Sequence, residues 1–161
     1  MSVHENRKGS LVLTATTDAE TIGDNKVICQ SIEIPNATLD AGGTSLIKSI
    51  TVSDETTTGP AIDIIFAAHS TAITQDEGKA VGEDVADLDG TISKFLGHVS
   101  IAASDYTDLF DAKLGTKTGI DLAVTTAAGS TSIYMHIINR SGSNWVAAET
   151  DDLKVTVGFE Y

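Results

Sequence analysis

Apolar residues recur in this chain at every second position, run after run, and that period suits a strand with one face in a core and the other in water. Leu11, Leu13 and Ala15 alternate with Val12, Thr14 and Thr16. Ile28, Gln30, Ile32 and Ile34 leave Val27, Cys29, Ser31 and Glu33 on the other side, and Leu46, Lys48, Ile50 and Val52 alternate with Ile47, Ser49 and Thr51. The pattern continues through Ile62, Ile64 and Phe66, then Val99 and Ile101, then Ile120, Leu122 and Val124, then Ile133, Met135 and Ile137. It ends with Leu153, Val155, Val157 and Phe159, so the sequence predicts eight strands. Threonine, valine and isoleucine crowd these runs because β-branched side chains pack well on a pleated, half-buried surface.

Turn residues fall between the runs. Gly42-Gly43, Gly59-Pro60, Gly129-Ser130 and Ser141-Gly142-Ser143 mark the breaks, where glycine reaches positive φ without a Cβ clash. The spacing predicts a hairpin over 121–139 closed at Ala128-Gly129-Ser130. One polar and one apolar face on most strands imply two stacked antiparallel sheets, since a parallel sheet would show continuous apolar runs and intervening helices. The expected fold is all-β: an antiparallel β-sandwich of about eight strands with one short helix. That helix is predicted over 104–115, where Tyr106, Leu109, Phe110 and Leu114 have helical spacing between a capping Ser104 and a terminating Gly115. Residues 84–96 read as irregular with one helical turn, because Gly90 weakens a helix by about 1 kcal/mol relative to alanine. The long connection over 69–96 is the first place to look for a contact. No internal repeat or linker divides the chain, so a flexible arm over residues 1–9 and one sandwich domain over 10–161 are expected.

Charge and cysteine count exclude several classes. Ten Lys and Arg against 23 Asp and Glu leave a formal charge of −13, which repels phosphate backbones and acidic membranes, so neither nucleic acid nor membrane is an expected partner. Cys29 stands alone, which forbids an internal disulfide and leaves no cysteine cluster for zinc. The polar first ten residues show no signal-peptide core, so folding in the cytoplasm is expected, and the Asn36 and Asn139 sequons read as accidental.

Candidates for chemistry are few. His4, His69, His98 and His136 are not at ligand spacing, and a strand histidine is more often a surface or hydrogen-bonded residue than a ligand. The acidic stretch Asp76, Glu77, Glu83, Asp84, Asp87 and Asp89 contains Asp87-x-Asp89-Gly90. Leu96 occupies the place where a calcium loop needs its bidentate glutamate, so a solvated acidic loop is the simpler reading. No cofactor, metal or catalytic residue is expected, and the chain reads as a non-enzyme. Two features point to contacts instead. Trp145 follows Ser141-Gly142-Ser143-Asn144 in a turn, where its ring would either stand exposed as an interface anchor or fold back over the open end of the sandwich. Arg7 and Lys8 make the first ten residues net positive on an acidic body, suited to a negatively charged patch on a larger partner.

Several segments together carry a family likeness. Ile34-Pro35 before Gly42-Gly43, the strand over 45–52, residues 62–66, residues 96–106, residues 132–136 and the closing 151–157 make the chain resemble small structural proteins of tailed-phage virions, among them capsid decoration (cement) proteins. The resemblance covers the chain from about residue 10. It implies a jelly-roll-like β-sandwich forming a homotrimer on the outer surface of the virion's head shell. The partner would be the major capsid protein, and Arg7, Lys8 and Trp145 are the candidate capsid or subunit contacts. Head-fibre, tail or baseplate components share this composition and remain the alternative. A carbohydrate-binding sandwich would need exposed aromatic residues, and an enzyme would need a site.

Overall fold

Each of the eight alternating runs becomes a strand in the computed structural model, which describes residues 8–15, 21–71, 78, 95–147, 149 and 151–161. In chain order the strands are β1 (Lys8–Ala15), β2 (Thr21–Ile22), β3 (Val27–Ile34), β4 (Thr44–Asp54), β5 (Ile62–Ala67) and β6 (Phe95–Ile101). A 3₁₀ turn (Ala103–Asp105) leads to β7 (Tyr106–Asp108), β8 (Lys113–Thr125), β9 (Ile133–Asn139), β10 (Trp145–Val146) and β11 (Leu153–Glu160). The three strands beyond the expected eight are β2, β7 and β10, each two or three residues long.

One sheet has the order β1-β11-β4-β8-β7 and the other β3-β9-β5-β6, with β10 and β2 forming a small separate ribbon. The main strands pair as nested antiparallel partners, first with last and inward: β1 with β11, β3 with β9, β4 with β8, and β5 with β6. A long hairpin rolled so that its successive pairs fall alternately in two facing sheets has this order, and that is a jelly roll. The strand ladder thus gives the expected sandwich its topology.

Between the sheets lies a single buried cluster. Ile47, Ile50, Val52, Val124, Val155, Val157 and Phe159 come from one sheet, and Ile28, Ile34, Ile62, Ile64, Phe66, Met135 and Ile137 from the other. Parity alone would have put Lys48, Ile50 and Val52 on one face and Ile47 on the opposite one. Instead Gly158 pairs with Ser49 and the next β11 residue, Phe159, with Ile47, so Lys48 is an extra residue in β4 that lets Ile47 and Ile50 both enter the core. A bulge is the device that changes facing within one strand.

Two local expectations differ from the structure. The turn at 128–130 does not close a hairpin, because β8 and β9 belong to opposite sheets. The chain crosses between them, held where Gly42 N donates to Ser130 O and Thr126 N donates to Gly43 O. Nor is 104–115 a helix: the segment is the 3₁₀ turn, β7 and the start of β8. Tyr106 through Asp108 add a fifth strand to the sheet edge by pairing with Gly115 through Lys113. Ladder hydrogen bonds along an existing edge outweigh the helical spacing of four apolar residues. The acidic residues between 76 and 89 and the helical turn expected within 84–96 lie outside the described residues, apart from Phe95 and Leu96, which open β6.

Candidate functional site

The roll has two ends, and they differ chemically. At one end β1 begins and β11 finishes. Lys8 is the first residue of β1, in register with Glu160, so it is held by the sheet rather than carried on a free arm. Arg7 lies outside the described residues. Nearby, Lys48 sits at the β4 bulge, its ammonium bonded to the Asp121 carboxylate on β8 and 4.0 Å from Glu160. The hydrogen bond that Lys48 donates to Asp121 raises the Lys48 pKa above the usual lysine value. Among the described residues Lys8 has no ion-pair partner.

The opposite end is built from the loops over 54–61, 102–112 and 139–145. Asp54 is fully buried, accepting hydrogen bonds from Thr56 N, Thr56 Oγ1, Thr58 Oγ1 and Gly59 N, which ties the loop leading to β5. Asn139 does the same for the next loop. Its amide donates to Ile22 O and Ser143 O, and its side-chain oxygen accepts from Ser141 N and Oγ. That loop delivers Trp145 to β10, opposite Ile22.

Trp145 is 1% exposed. The exposed ring that would make an interface anchor is therefore corrected to the other reading: it closes the end of the sandwich as part of the core, because burying so large an apolar surface outweighs leaving it in water. Its Nε1 finds no acceptor among the described residues, and neither do the Tyr106 hydroxyl and His136 Nε2.

A different aromatic stands exposed. The β7–β8 connection projects Leu109, 55% exposed, and Phe110, 90% exposed. Phe110 has a φ of 78°, a left-handed conformation rare for a bulky residue. Two hydrogen bonds hold it there: Phe110 N donates to Asp108 Oδ1 at 2.9 Å, and Leu109 N donates to Ala112 O at 2.8 Å. The helical reading took Phe110 as one of four apolar residues at helical spacing and did not single it out. The signal that would have found it is the aspartate two residues before, whose carboxylate commonly closes a local turn.

The histidines do not converge. His98 is exposed on β6, while His136 is fully buried on β9, its Nδ1 accepting from Ser31 N at 3.0 Å. Burial pushes the His136 pKa down to about 4. Cys29 is buried in the core. Among the described residues no three His, Cys, Asp or Glu side chains are grouped to hold a metal ion. What the arrangement offers is contact surface: a lysine-bearing corner at one end and an aromatic tip at the other.

No protein-family model matches the chain, and no curated protein does. Among solved structures it is similar to that of tomato aspermy virus, at 9% identity and a TM-score of 0.37, over 96% of this chain and 76% of that one. It is also similar to the infectious bursal disease virus VP2 subviral particle, at 11% identity and a TM-score of 0.33, over 96% of this chain and 33% of that one. At such scores the jelly-roll topology rests on the strand pairing above and not on these likenesses.

Proposed function

We propose that the chain is a structural virion protein, a decoration protein that binds the outer surface of a phage head shell and stabilises its expanded form. The single observation that carries this reading is the nested eight-strand jelly roll, an architecture used repeatedly in viral capsid proteins. It is joined by the family likeness of the sequence and by an acidic surface unsuited to nucleic acid. A protein that binds only the assembled shell stabilises it by mass action, without catalysis or a cofactor. Attachment to the major capsid protein is assigned to the corner where β1 begins, with Arg7 reaching shell carboxylates beside Lys8. Exposed ion pairs contribute only about 0.2–1 kcal/mol each, so several copies in one homotrimer must act together, the later contacts forming at high effective concentration.

Co-sedimentation with expanded shells stripped of the protein tests this. A chain lacking residues 1–7, which leaves β1 whole, should remain folded and occupy the shells far less than the full chain. Full occupancy by the truncated chain would move attachment off the arm. No binding by the full chain would overturn the shell reading, as would label on tails or fibres of intact particles.

A further inference from the structure

We propose that the free edge of β1 is a strand-addition site, where an extended segment of the shell protein pairs with residues 9–15 and seats an aliphatic side chain beside Leu11. The inference rests on the shell binding proposed above and names how the shell is held once the arm has met it.

The two sheets end in four edge strands, β1, β7, β3 and β6, and three of them are blunted. β7 is three residues long and carries Asp108. β3 has two register shifts and a left-handed Ser31, at a φ of 56°. β6 holds Gly97 beside its own irregularity. Short, bulged or charged edges keep sheets from pairing with other chains. β1 has none of these devices. It runs eight residues in unbroken register with β11, contains no proline, and has its one charge at Lys8, the first position. Every second residue of β1 turns its N–H and C=O away from β11, and no described residue pairs with them. Val12 stands 63% exposed in the middle of the strand.

Those backbone groups need another extended backbone, and a hollow beside them selects its kind. About 170 Å³ opens between Gly9 and Leu11 on β1 and Pro35 and Asn36 after β3, backed by Phe159 and Tyr161. Its wall is set in advance: the Phe159 and Tyr161 rings stack with centroids 6.1 Å apart, and the Tyr161 hydroxyl donates to Asn36 O at 3.0 Å. A cavity of about 150 Å³ holds a benzene-sized group, so the hollow has room for one aliphatic side chain. A strand added about 4.8 Å outside β1 sends alternate side chains to the side that Leu11 and Phe159 face. The β1 of a second copy cannot fill the hollow, because its Leu13 and Ala15 are buried in its own core and its Leu11 packs against that core. A segment not committed to a core can. Continuity names the source of that segment: Arg7 and Lys8, to which shell attachment is assigned above, lead directly into β1. Strand addition draws its affinity from main-chain hydrogen bonds and its specificity from pockets for alternate side chains.

Hydrogen exchange of the full chain, read residue by residue when free and when bound to expanded shells, tests this. Alternate β1 amides should exchange fast in the free chain and slow about tenfold or more on the shell. Leu11→Trp, which fills the hollow with the chain's own ring, should keep a cooperative thermal transition and bind shells about tenfold more weakly. Shell binding with unchanged β1 exchange overturns the inference and leaves the shell reading standing, as does wild-type affinity of a folded Leu11→Trp chain. Exchange in the free chain that slows as its concentration rises gives the edge to a second copy and overturns the inference too. A full chain that does not bind shells overturns both.

Discussion

Phe110 and His136 are each held in a state that an isolated residue would avoid, and each shows what the surrounding fold imposes. Phe110 keeps a left-handed backbone for which glycine would be the undemanding choice. His136 is neutral because water is excluded from it, and its Nδ1 accepts from the Ser31 amide, which leaves the proton on Nε2. Its folded pKa of about 4 lies below the unfolded value near 6.5, so in acid the unfolded chain takes up the proton first. The His136 contribution to stability is therefore complete above about pH 6.5 and is lost as the pH falls toward 4, by up to roughly 3 kcal/mol. Urea titrations of the wild type and His136→Gln between pH 7 and pH 4 measure it. The difference between their unfolding free energies should change across that window, and parallel curves would show that His136 does not titrate on unfolding.

Strand irregularities do more to shape this roll than the regular ladders do. In β4 the extra residue at the bulge returns Ile50 to the core and aims Lys48 at Asp121 on the neighbouring strand. In β6, Gly97 sits beside a register shift in the β5–β6 ladder, between Phe66 and Ala67, with a φ of 151°. A Cβ there would lie 2.7 Å from Leu122 Cδ1. The end of a leucine side chain can move aside, but the backbone angle cannot, and L-residues holding such angles lose about 1–3 kcal/mol. Gly97→Ala should lower the thermal midpoint accordingly. A midpoint equal to that of the wild type would mean that the strand re-forms without its irregularity.

Because β1 pairs with β11, the larger sheet closes only when segments far apart in the chain have met. β11 lies between β1 and β4 and contributes Leu153, Val155, Val157 and Phe159 to the core. Removing residues 153–161 should strip both neighbours of their ladders and open the core. The expected product binds a hydrophobic dye and shows no cooperative thermal transition. A sharp transition with β-type circular dichroism would mean that β1 can pair directly with β4. Nested long-range pairing of this kind also places the molecule among slowly folding topologies.

The eight main strands, the breaks between them and the two-sheet class were legible in the sequence, because period-two burial is a local property that each run writes for itself. The net charge and the lone Cys29 were equally plain. Other features depended on partners far along the chain. Whether the turn at 128–130 joined neighbours in one sheet or crossed to the other was decided by the pairing of β8 with β4 and of β9 with β3. Whether Trp145 stood in water or in the core turned on β2 and on the Asn139 hydrogen bonds, more than a hundred residues apart in the case of Ile22. Helical spacing over 104–115 was a true local signal, yet the open edge of β8 offered the same backbone a ladder. That competition turned Phe110 from a residue of an expected helix into the most exposed large apolar side chain among the described residues. Local periodicity records which residues want burial, whereas facing, crossing and exposure are set by contacts that exist only once distant strands are side by side.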